Sequence, residues 1–163
     1  PVSLTANKGI NLFKINSAAE MLNKVFECME SSDIFISCAA VADFKPANYS
    51  DTKIKKEDSE NLEINLEKNH DILSEVSNRY KSAYIVGFAA ETSNVNDNAN
   101  KKLNSKNLDM IISNDVSDKS IGFDSDENEV HVITKDETKF LKKDKKIKIG
   151  REILNIIAAN IKT

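Results

Sequence analysis

The chain has 163 residues, with 23 Lys and Arg against 26 Asp and Glu, a net charge of −3, and only 4 Gly and 2 Pro. The length argues for one domain, read as a single unit over residues 1–163, and the charge balance excludes the basic footprint of a duplex nucleic-acid binder. Gly9, Gly87, Gly122 and Gly150 are too far apart to form G-x-G-x-x-G or G-x-x-x-x-G-K-[ST], so a phosphate-cradling glycine loop is not expected in this chain.

In chain order, the first element is a helix over 17–31. Ser17 and Glu20 have capping-box spacing, and Ala18, Met21, Leu22, Val25, Phe26 and Met29 recur on one face. Residues 34–41 form a continuous apolar run of strand length, as expected of a strand buried on both faces in a parallel sheet. Ile54, Leu62, Ile64 and Leu66 alternate with polar residues over 53–67, which predicts a half-exposed antiparallel ribbon. A helix over 71–80 then leads into a second buried strand at 83–90. A sparse helix over 95–107, anchored by Val95, Ala99 and Leu103, leads into a third strand at 108–112. A hairpin is expected over 129–134 and 138–142, turning at Asp136-Glu137. A last helix over about 149–162 carries Ile149, Ile153, Leu154, Ile157 and Ile161. Alternation of helix and buried strand predicts an α/β fold around a parallel sheet.

Cys28 and Cys38 are too few for a disulfide framework and have no zinc-type spacing. Both lie in apolar runs, which predicts buried, reduced thiols in a cytoplasmic protein. No apolar stretch approaches the ~20 residues that span a bilayer. The start, Pro1 to Thr5, has neither the charged nor the apolar region of a signal peptide. It also lacks Met, and the chain reads as if cut from something longer.

In open α/β sheets, ligands bind beyond the carboxyl ends of the strands. The three predicted strands are followed by Ala42-Asp43-Phe44-Lys45-Pro46, by Glu91-Thr92-Ser93-Asn94 and by Asn114-Asp115. Asp43 suits a hydrogen bond to a base or ribose, or equally a local turn. In Lys53-Ile54-Lys55-Lys56, strand geometry puts Lys53 and Lys55 on one side, which suits a triphosphate or a charged protective edge. Lys102 and Lys106, four apart on a helix, can line one face toward the same anion or simply face solvent. Phe88 reads first as core, and as a base-stacking ring if it lies near a strand end. His70 and His131 have no companions at metal-ligand spacing, and no metal site is read.

Taken in order, several segments resemble a known family. They are Cys-Ala-Ala-Val-Ala-Asp-Phe-Lys-Pro at 38–46, Lys-Ile-Lys-Lys at 53–56 and Glu-Lys-Asn-His-Asp-Ile-Leu at 67–73. Gly-Phe-Ala-Ala-Glu-Thr at 87–92, Lys-Asn-Leu-Asp at 106–109 and Asn-Asp-Val at 114–116 follow, then Gly122-Phe123 and Ser125-Asp126. This set resembles the phosphopantothenate–cysteine ligase (phosphopantothenoylcysteine synthetase) family of coenzyme A biosynthesis, over nearly the whole chain.

The resemblance implies a Rossmann-like, mostly parallel sheet with helices on both faces, and an antiparallel ribbon that forms a homodimer. It implies that CTP, with Mg²⁺, activates 4′-phosphopantothenate as an acyl-cytidylate, from which the amine of cysteine displaces CMP. Position by position, it implies that Ser37, Cys38 and Ala39 are a backbone stretch beside the nucleotide. It also makes Asp43 nucleotide-binding, Lys53 both catalytic and triphosphate-binding, and Asp71, Ile72 and Leu73 a nucleotide loop. Phe88 is placed at the base, and Lys102 and Lys106 among the nucleotide contacts.

His70 stands where the family usually has Pro, which removes a φ restraint from that loop. The family's first strand, its Gly-Gly-Thr-type turn and its Ser-Ser-Gly-Lys-Met-Gly helix start have no counterpart here. In bacteria the ligase is often fused behind a flavin-dependent decarboxylase, so FMN is expected only if such a domain precedes this chain. A contrasting expectation is a dimerising nucleotide-binding module without turnover. An NAD(P)-dependent oxidoreductase is disfavoured, since the glycine fingerprint of its cofactor loop is missing.

Overall fold

The structure, a computed structural model, describes residues 5–52, 63–117 and 125–161. Its elements are α1 (Ala18–Met29), β1 (Ile34–Ser37), β2 (Phe44–Pro46), β3 (Leu66–Lys68), α2 (Ile72–Arg79), β4 (Tyr84–Glu91), α3 (Val95–Ser105), β5 (Met110–Asp115), β6 (Glu127–Thr134), β7 (Thr138–Lys145) and α4 (Lys146–Ile161). They fall into two units: Pro1–Glu30 with Val41–Asp71, and Ser31–Ala40 with Ile72–Thr163.

The second unit holds a five-stranded sheet in the order β1-β4-β5-β6-β7. β1, β4 and β5 pair in parallel, and β6 is antiparallel to both β5 and β7. Within this sheet only β6 therefore runs against the rest, and the mostly parallel α/β reading holds. Successive strand residues face opposite sides, which sorts the core. Val86, Met110, Ile112, Val130, Val132 and Leu141 pack with Ile149, Ile153, Ile156 and Ile157 of α4, with Ile36, Tyr84 and Phe88 at the margin. On the other side, a Cβ built on Gly87 would lie 2.9 Å from Leu73 Cδ2 and 3.0 Å from Leu108 Cδ1. Gly87 is thus where α2 and the segment before β5 come close against the sheet.

The start of β5 is built by caps. α3 ends in a Schellman turn: Leu108 N–H donates to Leu103 O at 2.9 Å and Asn107 N–H to Asn104 O at 3.2 Å. Asn107 takes the left-handed conformation the turn needs, at φ 51°, and Leu103 and Leu108 supply its buried apolar contact. Asp109 then accepts the N–H of Ile85 at 2.7 Å. The Lys-Asn-Leu-Asp segment at 106–109 therefore anchors β5 beside β4.

In the first unit, Ser17 Oγ accepts the N–H of Glu20 at 3.2 Å, and the Glu20 carboxylate accepts the N–H of Asn16 at 2.8 Å. The Ser17 half of the predicted capping box is thus formed, while the Glu20 side chain reaches the N–H one residue before the cap. β2 and β3 form a separate antiparallel pair, with Lys45 and Glu67 opposite each other and 3.1 Å apart.

Three expectations are corrected. The apolar run 34–41 is a strand only over Ile34–Ser37. β1 is the sheet's edge strand, with Ile34 exposed, so it is not buried on both faces. Composition alone does not separate such a run from a short strand followed by a small-residue loop. The cysteines are not buried either: Cys28 is half-buried and Cys38 exposed. In α4 the buried stripe runs through Ile156, while Leu154 and Ile161 face outward.

The predicted ribbon is described only in part. β3 pairs with β2, and residues 53–62, including Lys53, lie outside the described residues. Among those described, no helix is long and apolar enough to cross a membrane.

Candidate functional site

At the carboxyl end of the sheet, on the α4 side, lies a cavity of ≈ 380 Å³. It is lined by Cys38, Ala39, Ala40, Phe88, Ala90, Asn114, Asn128 and Lys146. Four elements converge there because the strands end together: Ala90 is paired with Asn114 across β4 and β5. Phe88 is half-buried, with its ring between the core and the cavity. The predicted residues Cys38, Ala39 and Phe88 thus share one wall. Protein around Cys38 desolvates its sulfur and raises the thiol pKa, although the residue as a whole is exposed.

On the polar side of the cavity, Asn114 stands at the predicted end of the third strand, whereas nothing in the sequence marks Asn128 or Lys146. Asn128 Oδ1 accepts the N–H of Glu129 at 3.0 Å and faces Asn114 Nδ2 at 3.5 Å. A backbone N–H can only donate, so this bond fixes the Asn128 amide orientation and, through it, that of Asn114. One carbonyl acceptor, Asn114 Oδ1, and one amide donor, Asn128 Nδ2, remain for a ligand. Lys146, the first residue of α4, adds a cation. An apolar cavity with a few fixed polar groups is the usual form of a small-molecule site.

The opposite face of the same edge carries charge. Lys102 Nζ lies 2.7 Å from Glu91 Oε1, and Asn98 Nδ2 donates to Glu91 Oε2 at 3.2 Å and to Ser93 O at 3.1 Å. Glu91 ends β4, and its side chain is only 13% exposed, against 46% for Lys102. Lysines on a helix lean toward its N-terminus, which brings Lys102 back to the strand end. Lys106 caps α3, and its carbonyl accepts from Ser77 Oγ at 2.6 Å. Lys102 therefore lies on α3 and Lys106 just past its end, at the C-cap, and Lys102 already has an anionic partner.

Ile72 opens α2 and is buried, Asp71 precedes it and is exposed, and Leu73 packs toward Gly87. In the first unit, Asp43 is exposed immediately before β2. Its carbonyl accepts the N–H of Asn69 at 2.8 Å, and Asn69 Nδ2 donates to Ala42 O at 2.8 Å. Asn69 thus fixes the backbone that carries Asp43. Sequence reasoning had a clue in Asn69, which lies within Lys-Asn-His-Asp, but not its partner. His131 packs on Phe140 across β6 and β7, with centroids 4.8 Å apart and the rings tilted by 38°.

A second cavity, of ≈ 540 Å³, lies at the other end of the strands, lined by Asp33, Lys81, Tyr84, Asp109 and Asn160 among others. The carboxyl-end cavity is the better candidate, because there several loops open together and the backbone ends point at a ligand. Among the described residues, no group of three or more His, Cys, Asp or Glu is placed to hold a metal.

The chain matches the family model described as DNA/pantothenate metabolism flavoprotein C-terminal domain over residues 1–161. It belongs to this family. Similar proteins include the coenzyme A biosynthesis bifunctional protein CoaBC of Haemophilus influenzae, 42% identical over 158 residues, and that of Bacillus subtilis, 43% identical over 161 residues. These alignments cover 96% and 98% of this chain but 39% of each relative, so the chain spans about two fifths of their length. The solved C-terminal domain of a CoaBC protein superposes with a TM-score of 0.81 at 31% identity, covering 99% of this chain and 71% of that one. A DNA/pantothenate metabolism flavoprotein from Streptococcus pneumoniae shares the fold, with a TM-score of 0.78 at 20% identity.

Proposed function

We propose that this chain is the nucleotide-handling part of a phosphopantothenate–cysteine ligase of coenzyme A biosynthesis. The observation that carries the reading is the convergence of Cys38, Ala39 and Phe88 with the oriented amides of Asn114 and Asn128 in one cavity. Its volume suits a nucleoside. An aromatic face supports a base, and a fixed acceptor and donor suit a base edge or ribose.

In this reading CTP lies across the carboxyl edge of the sheet. Its nucleoside occupies the Phe88 cavity, and its polyphosphate reaches toward Lys102 and Lys106; Asp43 and Asp71–Leu73 keep the nucleotide-binding roles that the resemblance implies. The carboxylate of 4′-phosphopantothenate attacks the α-phosphorus, the bond to the β-phosphate oxygen breaks, and pyrophosphate leaves. The amine of cysteine then attacks the acyl carbon, loses a proton and expels CMP, leaving an amide. Lys53, by its place in Lys-Ile-Lys-Lys, is assigned to the charge that develops during phosphoryl transfer. Mg²⁺ enters as the counter-ion of the triphosphate, and the described carboxylates are given no role as a resident metal site.

Exposed Phe44, Ile64 and Leu66, on and beside the β2–β3 pair, support the homodimer reading, since exposed apolar side chains grouped on a short ribbon favour association. The bifunctional names of the relatives support a fused or associated flavin-dependent decarboxylase. FMN would belong to that part, and a cytoplasmic location goes with the same reading.

The test is formation of the amide. The whole protein, given 4′-phosphopantothenate and cysteine, should yield the condensed product by mass spectrometry only when CTP and Mg²⁺ are present. Product formation without nucleotide, or none with CTP from folded protein, rejects the proposal.

A further inference from the structure

We propose that Glu91 is a positioning residue: it is the counter-anion to which Lys102 returns when the nucleotide site is empty, and the nucleotide must draw Lys102 away from it. The inference rests on the reading of Lys102 as a nucleotide contact and adds a residue to which that reading gives no role. Glu91 is the last residue of β4, adjacent to Ala90 of the candidate cavity, and its side chain lies on the opposite face of the sheet.

Three features mark Glu91 as more than a surface charge. Its side chain is largely covered, so its pairing is less screened than an exposed ion pair. Both carboxylate oxygens are engaged, Oε1 by Lys102 and Oε2 by Asn98. Asn98, one turn before Lys102 on α3, is itself tied to the carbonyl of Ser93, so the carboxylate is held by an anchored amide as well as by the lysine. Lys102 is nearly half exposed and ends a flexible stem, so it can exchange partners where Glu91 cannot.

The consequence is a moderated affinity. With Glu91 beside it, Lys102 brings almost no net charge to the site, and an arriving polyphosphate gains only the difference between two anionic partners. The same carboxylate offers Lys102 a destination when pyrophosphate departs, so the site does not retain its product. Removing the charge while keeping the shape therefore has an unusual sign: it should tighten nucleotide binding.

The experiment is a double-mutant cycle on the whole protein, titrating CTP with Mg²⁺ by calorimetry. Glu91→Gln should lower the CTP Kd by about three- to ten-fold, the range of one charge–charge interaction released at a partly covered site. Glu91→Asp, which retains the charge, should return the Kd toward that of the unaltered protein. Lys102→Gln should weaken CTP binding, and adding Glu91→Gln to it should give no tightening. If Glu91→Gln weakens binding or leaves it unchanged, or tightens it equally in the Lys102→Gln background, Glu91 does not act through Lys102 and the inference fails while the ligase reading stands. If Lys102→Gln leaves CTP binding unchanged, the inference fails together with the assignment of Lys102 to the nucleotide.

Discussion

Gly87→Ala tests how the packing beneath the candidate site is set. The added Cβ would meet Leu73 Cδ2 at 2.9 Å, Leu108 Cδ1 at 3.0 Å and Ile111 Cγ1 at 3.9 Å. Carbon atoms rest at about 3.5–4.0 Å, so two leucine ends must move by roughly 0.5–1 Å. Overpacking of this kind costs about 1–3 kcal/mol. Replacing Gly by Ala also stiffens the unfolded chain, which offsets about 0.4–1 kcal/mol. A net loss of about 1–2 kcal/mol is expected, because both clashing atoms are the ends of flexible side chains. Urea unfolding should show a lower midpoint at an unchanged slope. In a Leu73→Ala background the nearer of the two clash partners is gone, and Gly87→Ala should cost about 1 kcal/mol less. A neutral or stabilising Gly87→Ala, or an equal cost in both backgrounds, would refute the close approach of α2 to β4.

Three further outcomes follow from single features. Burial, with the Asp109 carboxylate adding to it, pushes the Tyr84 pKa up to about 12 from 10.0. Between these values the folded state keeps a proton that the unfolded state has lost, so Tyr84 makes stability fall as pH rises through about 10 to 12. Tyr84→Phe should lessen that fall, measured as denaturation midpoints at pH 9 and 11.5; identical pH profiles would contradict it. Asn107→Ala should cost about 1–2 kcal/mol because the Schellman turn needs a left-handed residue, whereas Asn107→Gly should be close to neutral; equal thermal midpoints for the two variants would count against the cap. Lys53→Gln should cut turnover by at least about ten-fold with little change in the melting temperature, since a neutral amide cannot stabilise a phosphoryl centre; unaltered turnover would remove Lys53 from the mechanism.

The elements that sequence located best are those whose periodicity is enforced by burial. β4 and β5 read as apolar runs because α4 covers one side and α2 with α3 the other, and the α3 anchors Ala99 and Leu103 are buried as expected. β1 was read too long because Cys38, Ala39 and Ala40 are apolar for another reason: they are small and line a cavity. Motifs were legible as patterns but not as causes. Lys-Asn-Leu-Asp spans the cap of α3 and the anchor of β5, a role that depends on Asn107 adopting a left-handed conformation and on Asp109 meeting Ile85. Of the polar half of the site, Asn114 was legible as a strand end, but Asn128 joins it only through the β5–β6 pairing, which no local spacing encodes. Glu91 was visible only as a polar strand end, since its partners Asn98 and Lys102 are set by the helix that follows.

The most direct measurement separates the two half-reactions. The whole protein, mixed with CTP, 4′-phosphopantothenate and Mg²⁺ but no cysteine, should release about one pyrophosphate per site and stop. Adding cysteine should then release CMP and restart pyrophosphate formation, as an acyl-cytidylate route requires. Release of CDP and inorganic phosphate, or no pyrophosphate until cysteine is present, would contradict activation of the carboxylate at the α-phosphorus.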